Sequence, residues 1–215
     1  MRFKFTDNLF IGVFIFVKIY SKELGMKIVL ATSNEHKVKE INAIVDGKNI
    51  EFVLPEGEFD PIEDGETFEE NSYIKARCAW ELTKTWVLAD DSGLCIDALD
   101  GKPGIYSARY AETPQKRIDR VLKEMKGKTN RKARFNCSMT LLNPNGEKVF
   151  SYMGVCEGEI VEKQRGINGF GYDPIFLVDG LSKTMAELSE EEKNQLSHRA
   201  KALSKVLDYI ANVAQ

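Results

Sequence analysis

Residues 88–94 read Leu-Ala-Asp-Asp-Ser-Gly-Leu and place two carboxylates, Asp90 and Asp91, between an apolar stretch at Trp86–Ala89 and another at Leu94–Ile96. The pattern predicts a strand that ends in Asp-Asp and delivers both side chains to the edge of a sheet. Neighbouring carboxylates repel unless they share a cation or a proton. Hard oxygen ligands of this kind suit Mg²⁺, which takes one or two carboxylates and completes its shell with substrate phosphates. The same letters also make an ordinary acidic turn, because Asp-Ser-Gly is favoured turn chemistry.

Further segments carry polar groups at telling positions. Thr32-Ser33-Asn34-Glu35-His36-Lys37 stands between a strand pattern and a helical one. Ligands of open α/β sheets bind at such junctions, where helix-start N–H groups and a lysine suit a phosphate. It is not a Walker A loop, since G-x-x-x-x-G-K is missing, and a plain helix cap with a solvated lysine is the other reading. In Gly166-Ile167-Asn168-Gly169-Phe170-Gly171-Tyr172-Asp173-Pro174, glycines let a backbone approach a ligand closely. Phe170 or Tyr172 suits stacking on a flat base and Asp173 a hydrogen bond from it, while a tight loop with its rings in the core is the alternative. Lys193, His198 and Arg199 add donors near the C-terminus, either as ligand contacts or as a helix start with a solvated face. No nucleophile–base–acid set of the hydrolase type stands out.

The elements that must position these groups alternate. Lys27–Ala31 and Ile50–Leu54 read as strands, with a helical stripe of Val38, Ile41 and Val45 between them. Thr67 followed by Glu70 has capping-box spacing and opens a helix through Tyr73, Ala76 and Trp80 to about Lys84. Trp86–Ala89 is the third strand. Thr113-Pro114 starts a helix with proline in its first turn. Arg134–Leu142 and Lys148–Val155 read as a hairpin turned at Asn145-Gly146, with Glu159–Glu162 as a further strand. Leu203, Val206, Leu207 and Ile210 stripe a C-terminal helix. Strands alternating with helices, plus a hairpin, predict an α/β fold with a mixed central sheet flanked by helices.

Composition bounds the function. The chain has 215 residues and a net charge of −3, with no basic excess for nucleic acid or an anionic membrane. Its 4 cysteines form no C-x-x-C pair and read as thiols of a reducing, cytoplasmic compartment. With only 2 histidines, a histidine-rich metal site is excluded. Arg2 and Lys4 ahead of the apolar run Leu9–Val17 resemble parts of a signal peptide, but the run is short for a membrane span and no small-residue cleavage site follows. Met26 opens a fresh strand pattern. The expectation is that residues 1–25 are an extension from an upstream start codon, outside a domain at 26–215.

Several segments, in this order, resemble the inosine triphosphate pyrophosphatase family. They are Leu30-Ala31-Thr32-Ser33-Asn34 with Lys37, Glu63-Asp64-Gly65 followed by Thr67-Phe68 and Glu70-Asn71, Ala89 to Leu94, Pro103 to Arg109, Gly169 to Pro174, and Ser197-His198-Arg199. The resemblance runs from Met26 to about Ile210 and implies a cleft between two lobes. It implies Mg²⁺-dependent hydrolysis of ITP, dITP and XTP at the α–β anhydride by a homodimer. It implies that Thr32, Ser33, Asn34, Glu35, His36 and Lys37 hold the triphosphate. Glu63, Asp91 and Asp90 would bind the metal, Asp91 would take the proton from water, Ser92 would contact substrate and Lys75 would reach the phosphates. Phe170, Gly171, Tyr172 and Asp173 would hold the purine, with Lys193, His198 and Arg199 completing the pocket. Asn168 stands where the family motif often has glycine, and residues 1–25 have no counterpart. A pyrophosphatase for other modified nucleotides, and a nucleotide-binding regulator without turnover, are the alternative functions.

Overall fold

The computed structural model describes residues 25–45 and 49–213; the apolar run at 9–17 and residues 1–24 of the expected extension lie outside them. Met26–Leu30 (β1) leads into helix α1 (Glu35–Val45) and then β2 (Ile50–Val53). Helix α2 (Phe68–Thr83) follows, with the capping box closed in both directions by Thr67 and Glu70. Strand β3 (Val87–Ile96), helix α3 (Pro114–Glu124) and the long strands β4 (Lys132–Leu142) and β5 (Lys148–Ile160) come next. Strand β6 (Phe176–Val178) and helices α4 (Glu190–Leu196) and α5 (His198–Val213) complete the chain.

The strands form one six-stranded sheet in the order β2-β1-β3-β4-β5-β6. β1 runs parallel to β2 and to β3, whereas β3 to β6 are antiparallel neighbours, so the sheet is mixed as expected. Helices cover both faces. Ile41 and Val45 of α1 and Leu203 and Val206 of α5 pack on one face with Leu30 and Leu88, while Ala76 and Ala79 of α2 pack on the other with Val87 and Ala89. A further core gathers the far halves of β3 and β4 with α3 and the 170s loop. Among the described residues no helix is long and apolar enough to cross a membrane.

Two sequence expectations are corrected. β3 does not end at Asp90-Asp91 but continues in register with β4 to Ile96, Asp91 opposite Ser138. Nor is the stretch from Lys148 to Glu162 split between two strands, because β5 runs unbroken from Lys148 to Ile160. Gly154 sits inside β5 because α5 crosses there. A Cβ at that position would lie 2.1 Å from the backbone oxygen of His198. The glycine therefore marks a close helix–strand approach.

Candidate active site

The site forms where β1 leaves β3. Their last shared bond runs from the N–H of Ala31 to the carbonyl of Leu88, at 2.8 Å. Beyond it one edge of β3 opens into a cleft of about 430 Å³. The N–H of Leu94 on this stretch donates to Ser107 Oγ at 2.9 Å, so a side chain replaces the missing strand partner.

Successive strand residues face opposite sides of a sheet, and Asp90 and Asp91 do so here. They are not side by side on one edge, as the sequence suggested. Asp90 faces α1 and α5: its Oδ2 lies 3.0 Å from Lys37 Nζ and 3.1 Å from Arg199 Nη2. Burial alone would raise its pKa, but Lys37 and Arg199 together hold the carboxyl far below the usual carboxylate range. Asp91 faces α2: its Oδ1 accepts a hydrogen bond from Lys75 Nζ at 2.8 Å. Lys75 also lies 3.0 Å from Glu63 Oε1. Here desolvation prevails over Lys75, and the Asp91 pKa is raised. Among the described residues Asp91 Oδ2 is buried without a hydrogen-bond partner. A buried carboxylate short of positive charge, with Glu63 sharing its lysine, fits a cation that takes two carboxylates and further oxygens from a ligand. Among the described residues no group of three or more His, Cys, Asp and Glu side chains is gathered closely enough to hold a metal.

The turn before α1 is built by Asn34, whose Oδ1 accepts the N–H of His36 at 3.0 Å, while Thr32 Oγ1 accepts that of Asn34 at 3.1 Å. One of the helix-start donors expected for phosphate is thus used by the cap itself. Thr32, Ser33, Asn34 and Lys37 line the cleft. Glu35 is exposed and His36 turns elsewhere, so neither lies among the cleft-lining residues.

At the other end of the cleft, Asp173 Oδ2 accepts the N–H of Phe170 at 2.9 Å and pairs with Lys193 Nζ at 2.8 Å. Gly169 has φ of +73° and its absent Cβ would lie 2.1 Å from that same oxygen, so only glycine permits the contact. Asp173 thus holds its own loop and Lys193 instead of pointing a free oxygen at a base. Asp173→Ala is expected to raise the KM for a nucleotide substrate several-fold by loosening Phe170, with the inhibition constant of inorganic tripolyphosphate unchanged; parallel losses in both would refute this role. Tyr172 is buried in the core and its hydroxyl donates to the carbonyl of Ser107 at 2.9 Å, which leaves Phe170 as the ring with freedom to stack. Asn168 ties the loop down: its Nδ2 donates to the carbonyl of Leu188 at 2.9 Å.

Sequence reasoning missed Glu40. From α1 it pairs with both Arg199 and Lys193. Opposite charges then alternate from Lys37 through Asp90, Arg199, Glu40 and Lys193 to Asp173, joining the two ends of the cleft. The one available signal was spacing, since Glu40 lies three positions after Lys37 on the same helix face. Arg109 also lines the cleft and donates from Nη2 to the carbonyl of Glu63 at 3.2 Å.

His198 opens α5 and stacks on Phe135, with ring centroids 4.8 Å apart and 14° between planes. Its burial, with Arg199 and Lys193 nearby and Lys37 adding to them, holds its pKa well below 6.5, against the weaker pull of Asp90. The unfolded chain therefore takes up a proton near pH 6.5 that the folded protein refuses. This share of stability is present above that pH and is lost as the pH falls. Urea unfolding of the protein and of His198→Gln at about pH 7.5 and about pH 5.5 should give a shallower pH dependence for the variant. Equal slopes would show that His198 is not held neutral.

The model of the Ham1 family matches residues 28–209. The chain belongs to the Ham1 family. It is 46% identical over 193 residues to the dITP/XTP pyrophosphatase of Treponema denticola, covering 86% of this chain and 98% of that one. It is 47% identical over 194 residues to the dITP/XTP pyrophosphatase of Shouchella clausii, covering 87% and 98%. Among solved structures, a HAM1 protein from Coxiella burnetii superposes with a TM-score of 0.79 at 41% identity, covering 87% of this chain and 99% of that one. The Ham1 protein of Staphylococcus aureus gives 0.76 at 39% identity, covering 86% and 98%. The mixed, helix-flanked sheet is thus the Ham1 fold.

Proposed function

We propose that the protein hydrolyses non-standard purine nucleoside triphosphates, dITP, XTP and ITP, to the monophosphate and pyrophosphate. The relatives named dITP/XTP pyrophosphatase support the reaction and the substrate class. The observation that carries the mechanism is Asp91, a buried carboxylate with one oxygen on Lys75 and the other unpartnered, at the open edge of β3.

In this reading the triphosphate lies along that edge between Lys37 and Lys75. Asp91 Oδ2 takes a proton from the attacking water as the new P–O bond forms and the bridging α–β P–O bond breaks. Pyrophosphate leaves with the electron pair of the broken bond, and the lysines stabilise its growing charge. Glu63 and Asp91 would hold Mg²⁺, which when bound supplies charge neutralisation and lowers the pKa of water. Asp90, with Oδ2 on Lys37 and Arg199, acts in this scheme as the post that aims those cations and not as a metal ligand. Phe170 stacks on the purine, while His198 and Arg199 face its 6-oxo side. Among the described residues the buried Nδ1 of His198 has no hydrogen-bond partner, which suits a base contact. The reading includes a homodimer in the cytoplasm; the free thiols of Cys78, Cys95, Cys137 and Cys156 suit a reducing compartment.

The test is product analysis with dITP, XTP, ITP, GTP and ATP, with Mg²⁺ and with EDTA. Metal-dependent release of pyrophosphate from the first three, with little from GTP and ATP, is expected. Orthophosphate release would move the cut to the γ position, and binding without turnover would favour a regulator. Light scattering tests the dimer.

A further inference from the structure

Phe170 and Lys193 line the catalytic cleft and also an outer cavity of about 390 Å³ beside it. His36 lines the outer cavity, whereas Asp91, Ser92, His198 and Arg199 line the cleft. The imidazole of His36 lies on the ring of Phe170, with centroids 5.1 Å apart and planes 17° from parallel. Its neighbour Lys37 points the other way, to Asp90. Two adjacent residues of one turn thus reach opposite ends of the site.

We propose that His36 is a positioning residue for the base: it backs Phe170 from the outer cavity, so that the ring's other face is presented to the purine in the cleft. The inference rests on the hydrolase reading above and assigns to His36 a task distinct from holding phosphate. Phe170 needs such backing. It stands between Gly169 and Gly171, both at positive φ (+73° and +63°), where the backbone itself restrains the ring little. Its N–H is fixed by Asp173, and its outer side borders the outer cavity. A second aromatic plane at stacking distance removes that freedom, and aromatic pairs of this geometry change equilibria by roughly two- to tenfold. Because His36 belongs to the turn that carries Lys37, the stack also ties the base loop to the phosphate end.

The experiment compares the full-length protein with His36→Ala and His36→Phe. It uses dITP kinetics, calorimetric binding of dIMP, and inhibition by inorganic tripolyphosphate. The alanine variant should raise the KM for dITP and the Kd for dIMP by about two- to tenfold, leaving kcat and the tripolyphosphate inhibition constant unchanged. The phenylalanine variant should restore both. A phosphate-binding role would instead weaken tripolyphosphate in step with dITP, and no phenylalanine would rescue it. Either that result, or an unchanged KM and Kd in the alanine variant, overturns the proposal. If the parent protein binds dIMP but turns over none of the triphosphates, the hydrolase reading fails while the dIMP arm still decides the role of His36.

Discussion

Asp91→Asn should reduce kcat for dITP by about 10²- to 10⁴-fold, the range general-base catalysis supplies, and leave the fold in place. The substitution keeps shape and removes charge. Asn Oδ1 still accepts from Lys75, and Glu63 still neutralises that lysine at 3.0 Å. Burial already works against the Asp91 charge in the native state, so its loss leaves little unmet. A thermal scan should place the variant within a few degrees of the parent protein. Turnover within a few-fold of the parent would remove Asp91 from the chemistry. A collapsed melting temperature would show that its charge is structural.

Arg199→Met should have the largest effect on stability. Arg199 is 1% exposed, and its guanidinium reaches Asp90, Glu40 and Ser92 Oγ at once. Removing it takes one of two cationic partners from each of two buried carboxylates, leaving Asp90 with Lys37 alone and Glu40 with Lys193 alone. Breaking a buried pair by deleting one partner costs about 3–5 kcal/mol, which in a chain of this size is roughly a 6–20 °C fall in melting temperature. The pH dependence gives a second readout. The pKa values of Asp90 and Glu40 are both held below their ordinary range, Asp90 by Lys37 and Arg199 and Glu40 by Arg199 and Lys193. Their stabilisation is therefore present above the usual carboxylate pKa and lost as pH falls below it. In the variant this dependence should flatten, because carboxylates held by one lysine each protonate more readily. Differential scanning calorimetry between about pH 4 and about pH 8 checks both points. An unchanged melting temperature would mean that methionine packing offsets the lost ion pairs.

Much of the fold was legible because its signals are local. The capping box at Thr67 and Glu70, the proline after Thr113 and the apolar stripes of α1 and α5 each act within one or two turns. The misreadings have a common physical origin in long-range contacts. Asp90-Asp91 looks like a strand end because adjacent charges seldom sit inside a sheet. They do so here because Lys37, Arg199 and Lys75 arrive from three different helices. Gly154 carries no local signal of its role, which is to let a helix touch a strand. Glu40 looks like a solvated helix face until residues more than 150 positions away are brought against it. Tyr172 and Phe170 are two aromatic rings two positions apart that both line the cleft, and only the fold decides that Tyr172 is buried with its hydroxyl tied to Ser107.

The division of Asp90 and Asp91 between the two faces of β3 has a mechanical consequence. Lys37 belongs to the layer of helices on one face and Lys75 to the layer on the other. A polyphosphate that touches both lysines is a strap across the sheet, and pulling either layer away requires releasing it. Occupied protein should accordingly exchange the backbone amide hydrogens of α1 and α2 more slowly than empty protein. At a ligand concentration 100 times its Kd, mass action adds about 2.7 kcal/mol to the folded state. The lifetime of the enzyme then follows the abundance of the nucleotides it clears.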